Sequence, residues 1–227
     1  MISFFTGLVA VLQATSATPA PTEEALTPPE ARELASQPIV GKSIAFPELD
    51  DAALYARVKS ALNDVGSMKA RFEQIAPSGT VTTGDLYLDR PGRLRFDYDD
   101  PNPQLIVATG GIVYVHDADL ETTDTYPVRS TPLRFLLSRE IDDAAGAVAD
   151  IYREPDRIAV VLESTDDEVQ GELVMIFSAP ELQLTEWSVF EPSGAITSVA
   201  LSDVETDVRL QGRLFRAPDA GGAFLRD

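Results

Sequence analysis

Beyond Met68 the apolar residues fall at every second position, in short runs separated by turn residues, and this alternation limits the fold more than any other feature. An alternating run buries one face of a strand and leaves the other in water. A strand is expected around Phe72, ending near Pro77-Ser78-Gly79. Further strands are expected over residues 82–90, 94–98, 105–108 and 112–115, the last two joined by Gly110-Gly111. Later strands cover 148–153, 158–163, 173–177, 184–190 and 196–201, with turns at Glu154-Pro155-Asp156 and Pro192-Ser193-Gly194. Leu214-Phe215 reads as a last short strand.

Two segments keep a helical period instead. Over residues 51–65, Leu54, Val58, Leu62 and Val65 make one apolar stripe. Asp50 or Asp51 is placed to cap its start and Gly66 to end it. The second helix is short. Thr131 stands at its cap and Pro132 at its first position, where a missing N–H costs nothing. Leu133, Phe135, Leu136 and Leu137 make it strongly apolar for a surface connection. About ten antiparallel strands with a helix at each of two places describe a mainly β chain, a curled sheet or barrel with helices covering one opening.

The N-terminal part does not belong to that pattern. Residues 1–17 read as a signal peptide: an apolar run from Ile2 to Leu12, too short to span a bilayer, then small residues at Thr15-Ser16-Ala17 for cleavage. No Lys or Arg precedes the run. Residues 18–47 hold six prolines, Pro19, Pro21, Pro28, Pro29, Pro38 and Pro47, among acidic and small residues, and read as a disordered linker. The folded domain is expected over 48–218, followed by a tail over 219–227.

Composition removes several function classes. The chain has no cysteine and one histidine, His116. Thiolate chemistry is excluded, as is a lipid-modified cysteine, and His-based zinc sites and Ser/His/Asp triads lack their key residue. No enzymatic activity, cofactor or metal is expected. The formal net charge of −19 repels nucleic acid. The same charge repels an anionic membrane, which suits a protein passing between two membranes, or it serves solubility alone.

The segment GDLYLDRPGRLRFDYDDP, residues 84–101, carries the most information. Leu86 and Leu88 alternate with polar neighbours, as do Leu94, Phe96 and Tyr98. A two-residue turn at Pro91-Gly92 sets Leu88 opposite Arg95. A three-residue loop, Pro91-Gly92-Arg93, sets Leu88 opposite Phe96, Leu86 opposite Tyr98 and Arg90 opposite Leu94, on the apolar face. Register follows the apolar pattern, so the longer loop is expected. Arg90 there needs acceptors, either backbone carbonyls at a helix end or a carboxylate, since it has five donors and no acceptor. The plainer alternative is a turn arginine facing water. The stripe Leu86, Leu88, Leu94, Phe96 and Tyr98 likewise has two readings, a filled core or the lining of a cavity.

Other constellations carry little. Asp97, Asp99 and Asp100 read as a solvated strand end rather than an acid pair or metal site. Asp117-Ala118-Asp119 lacks the further Asp and Gly of a calcium loop and reads as a turn. His116 reads as a surface residue. Gly110-Gly111 and Gly221-Gly222 lack the Lys-Ser/Thr of a phosphate loop.

An ordered set of runs resembles the outer-membrane lipoprotein carrier (LolA) family: ARFEQ at 70–74, GDLYLDRPGRLRFDY at 84–98, PQLIVATGGIVYVHDADLE at 103–121, TPLRFLLS at 131–138 and RLFRAP at 213–218. The resemblance covers residues 49–218. It departs in the long Pro-rich leader and in Phe96, where members often carry Trp. The resemblance implies an incomplete antiparallel β-barrel with a helical lid over an apolar cavity. It implies that Leu86, Leu88, Leu94, Phe96 and Tyr98 line the cavity, that the helix with Pro132, Leu133, Phe135, Leu136 and Leu137 is the lid, and that Arg90 latches it. It implies a monomeric periplasmic chaperone that takes lipoproteins by their acyl chains from an inner-membrane exporter to an outer-membrane receptor. The alternatives are the receptor form of the same fold, or a sensor or lipid-binding module built on it.

Overall fold

A computed structural model describes residues 44–140, 146–164 and 171–218. The expected signal peptide, the linker up to residue 43 and the tail lie outside the described residues. Helix α1 spans Asp51–Asp64. Leu54, Val58 and Leu62 face the core, and the Asp50 carboxylate caps the helix by accepting the Ala53 N–H at 2.7 Å. The helix ends without the expected glycine cap. Val65 turns extended (φ −71°, ψ 102°), so no left-handed residue is needed at Gly66.

The strands are β1 Ser67–Ile75, β2 Val81–Asp89, β3 Arg93–Tyr98, β4 Gln104–Thr109, β5 Ile112–Asp117, β6 Thr122–Pro127, β7 Gly146–Arg153, β8 Arg157–Ser164, β9 Glu172–Ser178, β10 Leu184–Phe190 and β11 Ile196–Thr206. They form one antiparallel sheet in the order β6-β5-β4-β3-β2-β1-β11-β10-β9-β8-β7. Among the described residues, only the β1–β11 pair joins strands distant in sequence. The sheet is curled. Phe96 on β3 and Trp187 on β10 lie four strands apart, about 19 Å on a flat sheet, yet their rings are 6.2 Å apart. Strands β6 and β7 are the two edges, so the barrel is incomplete. The chain between these edges carries a 3-10 turn, Val128–Ser130, and helix α2, Leu133–Leu137.

Three elements differ from the sequence reading. Strand β6, Thr122–Pro127, is mostly polar and has no buried residue, so it has no buried face to produce alternation. Leu214-Phe215 is not a strand but part of a 3-10 turn, Gly212–Phe215, packed on the outer face of β3 and β4. Phe215 is buried there, with the Arg93 guanidinium 5.3 Å from its ring centroid. Residues 44–47, read as linker, are already packed: Ala45 is buried and its N–H donates to Glu154 O at 3.0 Å. Arg153 secures the same stretch, donating to Phe46 O at 2.9 Å and Leu49 O at 2.6 Å and pairing with Asp51. His116 is buried rather than at the surface, its Nδ1 3.0 Å from Thr123 Oγ1, cross-strand from buried Leu105 on the outward face.

The β2–β3 hairpin also departs in register. Leu88 faces Leu94, Leu86 faces Phe96 and Gly84 faces Tyr98. The loop is three residues long, as expected, but consists of Arg90-Pro91-Gly92, with Asp89 paired to Arg93. Arg90 is therefore in the turn and not opposite Leu94. A shift of two residues leaves every side chain on its face, so alternation alone does not exclude it. The turn decides between them. The Arg90 N–H leaves the ladder to donate to Gly66 O at 2.8 Å, and Gly92, at φ +83°, donates to Leu137 O at 2.9 Å.

Candidate functional site

The inward face of the hairpin is apolar throughout. Leu86, Leu88, Leu94, Phe96 and Tyr98 are all buried, from 0% exposed at Leu94 to 8% at Tyr98. They belong to one cluster with Leu54, Val58 and Leu62 of α1 and Leu133, Phe135, Leu136 and Leu137 of α2. Both helices thus lay their apolar residues on the sheet interior. In this arrangement the stripe is a covered core, and the cover is two short helices rather than a second sheet. Pro132 stands at the N-cap of α2, half-buried. Thr131 does not cap α2: its hydroxyl donates backward to Val128 O at 2.9 Å, closing the preceding 3-10 turn.

An aromatic group fills the centre. Phe72 meets Phe96 and Tyr98 edge-on, with centroids 5.0 and 5.1 Å apart, and Phe96 also meets Trp187 edge-on. Such contacts add about 0.5–1.5 kcal/mol each beyond burial. Trp187 was not singled out from sequence. A bulge between Leu184 and Glu186 breaks the alternation of β10, so that Leu184 and Trp187 are both buried despite their odd spacing. Gly84 makes room for the group. A Cβ there meets the Asp97 carbonyl oxygen and lies 2.6 Å from Phe72 Cε1. Gly84→Ala is expected to lower stability by roughly 1–3 kcal/mol, read as a lower urea midpoint. An unchanged midpoint would mean that β2 and β3 separate freely at this position.

Arg90 joins the parts. Its Nε and one terminal nitrogen donate to Ser138 O at 3.0 and 2.6 Å, at the end of α2. The same nitrogen reaches Arg139 O at 3.4 Å and Asn63 Oδ1 at 3.3 Å. The other terminal nitrogen donates to Leu62 O in the last turn of α1. Leu62 O also accepts the Val65 N–H at 3.3 Å, so the guanidinium is its second donor, while at Ser138 O it serves a carbonyl just past the last turn of α2. Partial burial pushes the Arg90 pKa down without a carboxylate to oppose it. Of the two sequence readings of Arg90, a water-facing turn residue and a residue bound to helix-end carbonyls, the geometry is the second. Its link to α1 had no signal in the sequence, because α1 and the hairpin meet only in the folded chain.

The acidic residues have other partners. Asp97 binds Arg95 at 2.9 Å, and Asp99 binds Arg71 and Thr83 Oγ1, the latter at 2.6 Å. The Arg71 hydrogen bond, with that from Thr83, holds the Asp99 carboxyl below its usual range. Asp117 Oδ1 accepts the N–H groups of Asp119 and Leu120 at 3.0 and 2.9 Å, which makes its loop a turn. Tyr98 donates its hydroxyl to Gln74 Oε1 at 2.9 Å, and burial pushes its pKa up.

The profile described as "Outer membrane lipoprotein carrier protein LolA" matches residues 63–218. The chain is 28% identical over 187 residues to an outer-membrane lipoprotein carrier protein of Pseudomonas paraeruginosa, covering 78% of this chain and 88% of that protein. It is 28% identical over 182 residues to the protein of the same description in Methylococcus capsulatus, covering 76% and 87%. Among solved structures it is similar to a LolA superfamily protein of Nitrosomonas europaea, at 9% identity and a TM-score of 0.43, covering 71% of this chain and 96% of that one.

Proposed function

The chain belongs to the LolA family of outer membrane lipoprotein carrier proteins, and on that premise we propose that it is a non-enzymatic periplasmic chaperone that shelters the acyl chains of lipoproteins. It receives them from an inner-membrane exporter and passes them to an outer-membrane receptor. Residues 1–17 direct export and are removed. The interior face of Leu86, Leu88, Leu94, Phe96 and Tyr98 becomes the acyl-chain site when α1 and α2 move off it. Arg90 is the latch of the closed state, and α2 with Pro132, Leu133, Phe135, Leu136 and Leu137 is the lid.

The observation that carries this reading is the contact of Arg90 with the C-terminal carbonyls of both helices, over a buried apolar face. A carrier has to bind an acyl chain and release it. Sheltering one CH₂ from water is worth ~0.8 kcal/mol, so a sixteen-carbon chain gains on the order of 12 kcal/mol. A permanently open site would hold that cargo fast. A site whose empty form closes on its own apolar cover, with a guanidinium satisfying both helix ends, offsets part of that gain. Hydrogen bonds to a charged group contribute roughly 1.5–3 kcal/mol each, which puts closure on the scale of cargo release.

Mass spectrometry of material bound to the protein isolated from the periplasm tests the reading. Lipid-modified N-terminal peptides are expected. Recovery of a different lipid alone would favour a lipid-binding or sensor module, and an uncleaved N-terminus on a cytoplasmic protein would remove the chaperone reading altogether.

A further inference from the structure

The barrel interior changes character along its length. At the helix-covered end the inward rows are apolar: Met68 faces Leu88, which faces Leu94, and the next row is Ala70, Leu86 and Phe96. Further along β1, past Phe72, the inward side chain is Gln74, paired across to Thr82 on β2. Gln74 is only 4% exposed. Its Oε1 takes the Tyr98 hydroxyl, but its Nε2 finds no hydrogen-bond partner among the described residues, and neither does the buried hydroxyl of Thr82. Beside them, the inward positions at this end of β4 and β5 are Gln104 and Asp117, a cross-strand pair. On the β1–β5 side the apolar interior therefore ends on polar side chains, at the end opposite Arg90, while across β1 the same row stays apolar through Val199, Trp187 and Met175.

We propose that Gln74, with Thr82 beside it, limits how deep an acyl chain enters and so selects cargo by chain length. This rests on the carrier reading. A methylene pressed against the Gln74 amide exchanges apolar contact for polar contact on that side and keeps water from a buried donor. Unmade hydrogen bonds of buried groups are costly, whereas apolar contact higher in the barrel is favourable. The depth follows from strand geometry. Six residues separate Met68 from Gln74, about 20 Å at ~3.3 Å per residue. With C–C bonds of about 1.52 Å, an extended chain advances roughly 1.25 Å per carbon, so that depth takes about sixteen carbons. Above that limit each added methylene contributes nothing to binding, while below it each tightens binding about fourfold.

The test is a binding series with saturated fatty amides of a fluorescent amine, running from well below to well above that length. Wild-type affinity should rise steeply and then level off or fall. In Gln74→Leu/Tyr98→Phe, which removes both partners of the buried hydrogen bond together, the break should move to longer chains. Thr82→Val removes one hydroxyl at nearly constant volume. It should move the break the same way by less, and it decides the matter if the double variant does not fold. Binding with a break at the same length in the folded variants, or with no break in the wild type, overturns the depth limit and leaves the carrier reading standing. If no probe of any length binds the wild type, the carrier reading itself fails, and this inference with it.

Discussion

Arg90→Leu should fold, take up lipoprotein and hand it on poorly. In the proposed closed state the guanidinium donates to Ser138 O and Leu62 O, with longer bonds to Asn63 and Arg139. Leucine makes none of these. Each bond from a charged donor contributes roughly 1.5–3 kcal/mol, and losing them leaves Ser138 O without its guanidinium donors and Leu62 O with only the Val65 N–H. The empty, closed form is therefore destabilised. The loaded form, in which the helices have moved off, loses less and gains the apolar surface of the new side chain. Both effects move the population toward loaded protein, and a few kcal/mol moves it by orders of magnitude. A transfer assay to acceptor membranes should show retained cargo, with uptake near that of the wild type. Arg90→Lys should fall between the two, since one ammonium cannot serve both helix ends as a planar fork does. Normal transfer by a folded Arg90→Leu protein would remove the latch from the mechanism.

Phe96→Asp should abolish most acyl-chain binding. Phe96 is 4% exposed and touches Phe72, Tyr98 and Trp187. An aspartate there removes the central ring and presents a carboxylate to any chain that enters. Burying an unpaired polar group costs about 1–3 kcal/mol by mutational measures, which is roughly a fivefold to hundredfold loss of affinity. The same change strains the closed protein, because large-to-small replacements of a core Phe cost about 3–5 kcal/mol. Circular dichroism at the assay temperature has to accompany the binding measurement. Phe96→Leu, which keeps the site apolar, should bind with a much smaller loss. Equal binding by a folded Phe96→Asp protein would place the site elsewhere.

Much of this was readable from the residues. Period-two runs located ten of the eleven strands among the described residues, because a half-buried strand shows its face in sequence. The α1 stripe and the apolar run at 133–137 located both helical covers. Alternation also put the correct residues inward: Leu86, Leu88, Leu94, Phe96 and Tyr98 are all buried. The ARFEQ run carried Gln74 on the same face as Phe72, though its place among polar side chains needed its neighbours on β2 and β3.

What alternation could not supply was anything that depends on a partner distant in sequence. Period two defines the face of a residue but leaves register free to slip by pairs, and the β2–β3 hairpin slipped by one pair because Arg90 and Gly92 bond to Gly66 and Leu137 instead of extending the ladder. Strand β6 has no buried face, so only its pairing with β5 makes it a strand. His116 and Phe215 are buried on the outer surface of the sheet, where pattern alone predicts water. Trp187 reaches the core through a bulge. Arg90 shows the division most plainly. Its place after an apolar strand marked it as a residue in need of acceptors, but only the folded chain brings the ends of α1 and α2 within reach, since an arginine satisfies its donors with whatever acceptors the tertiary structure places around it.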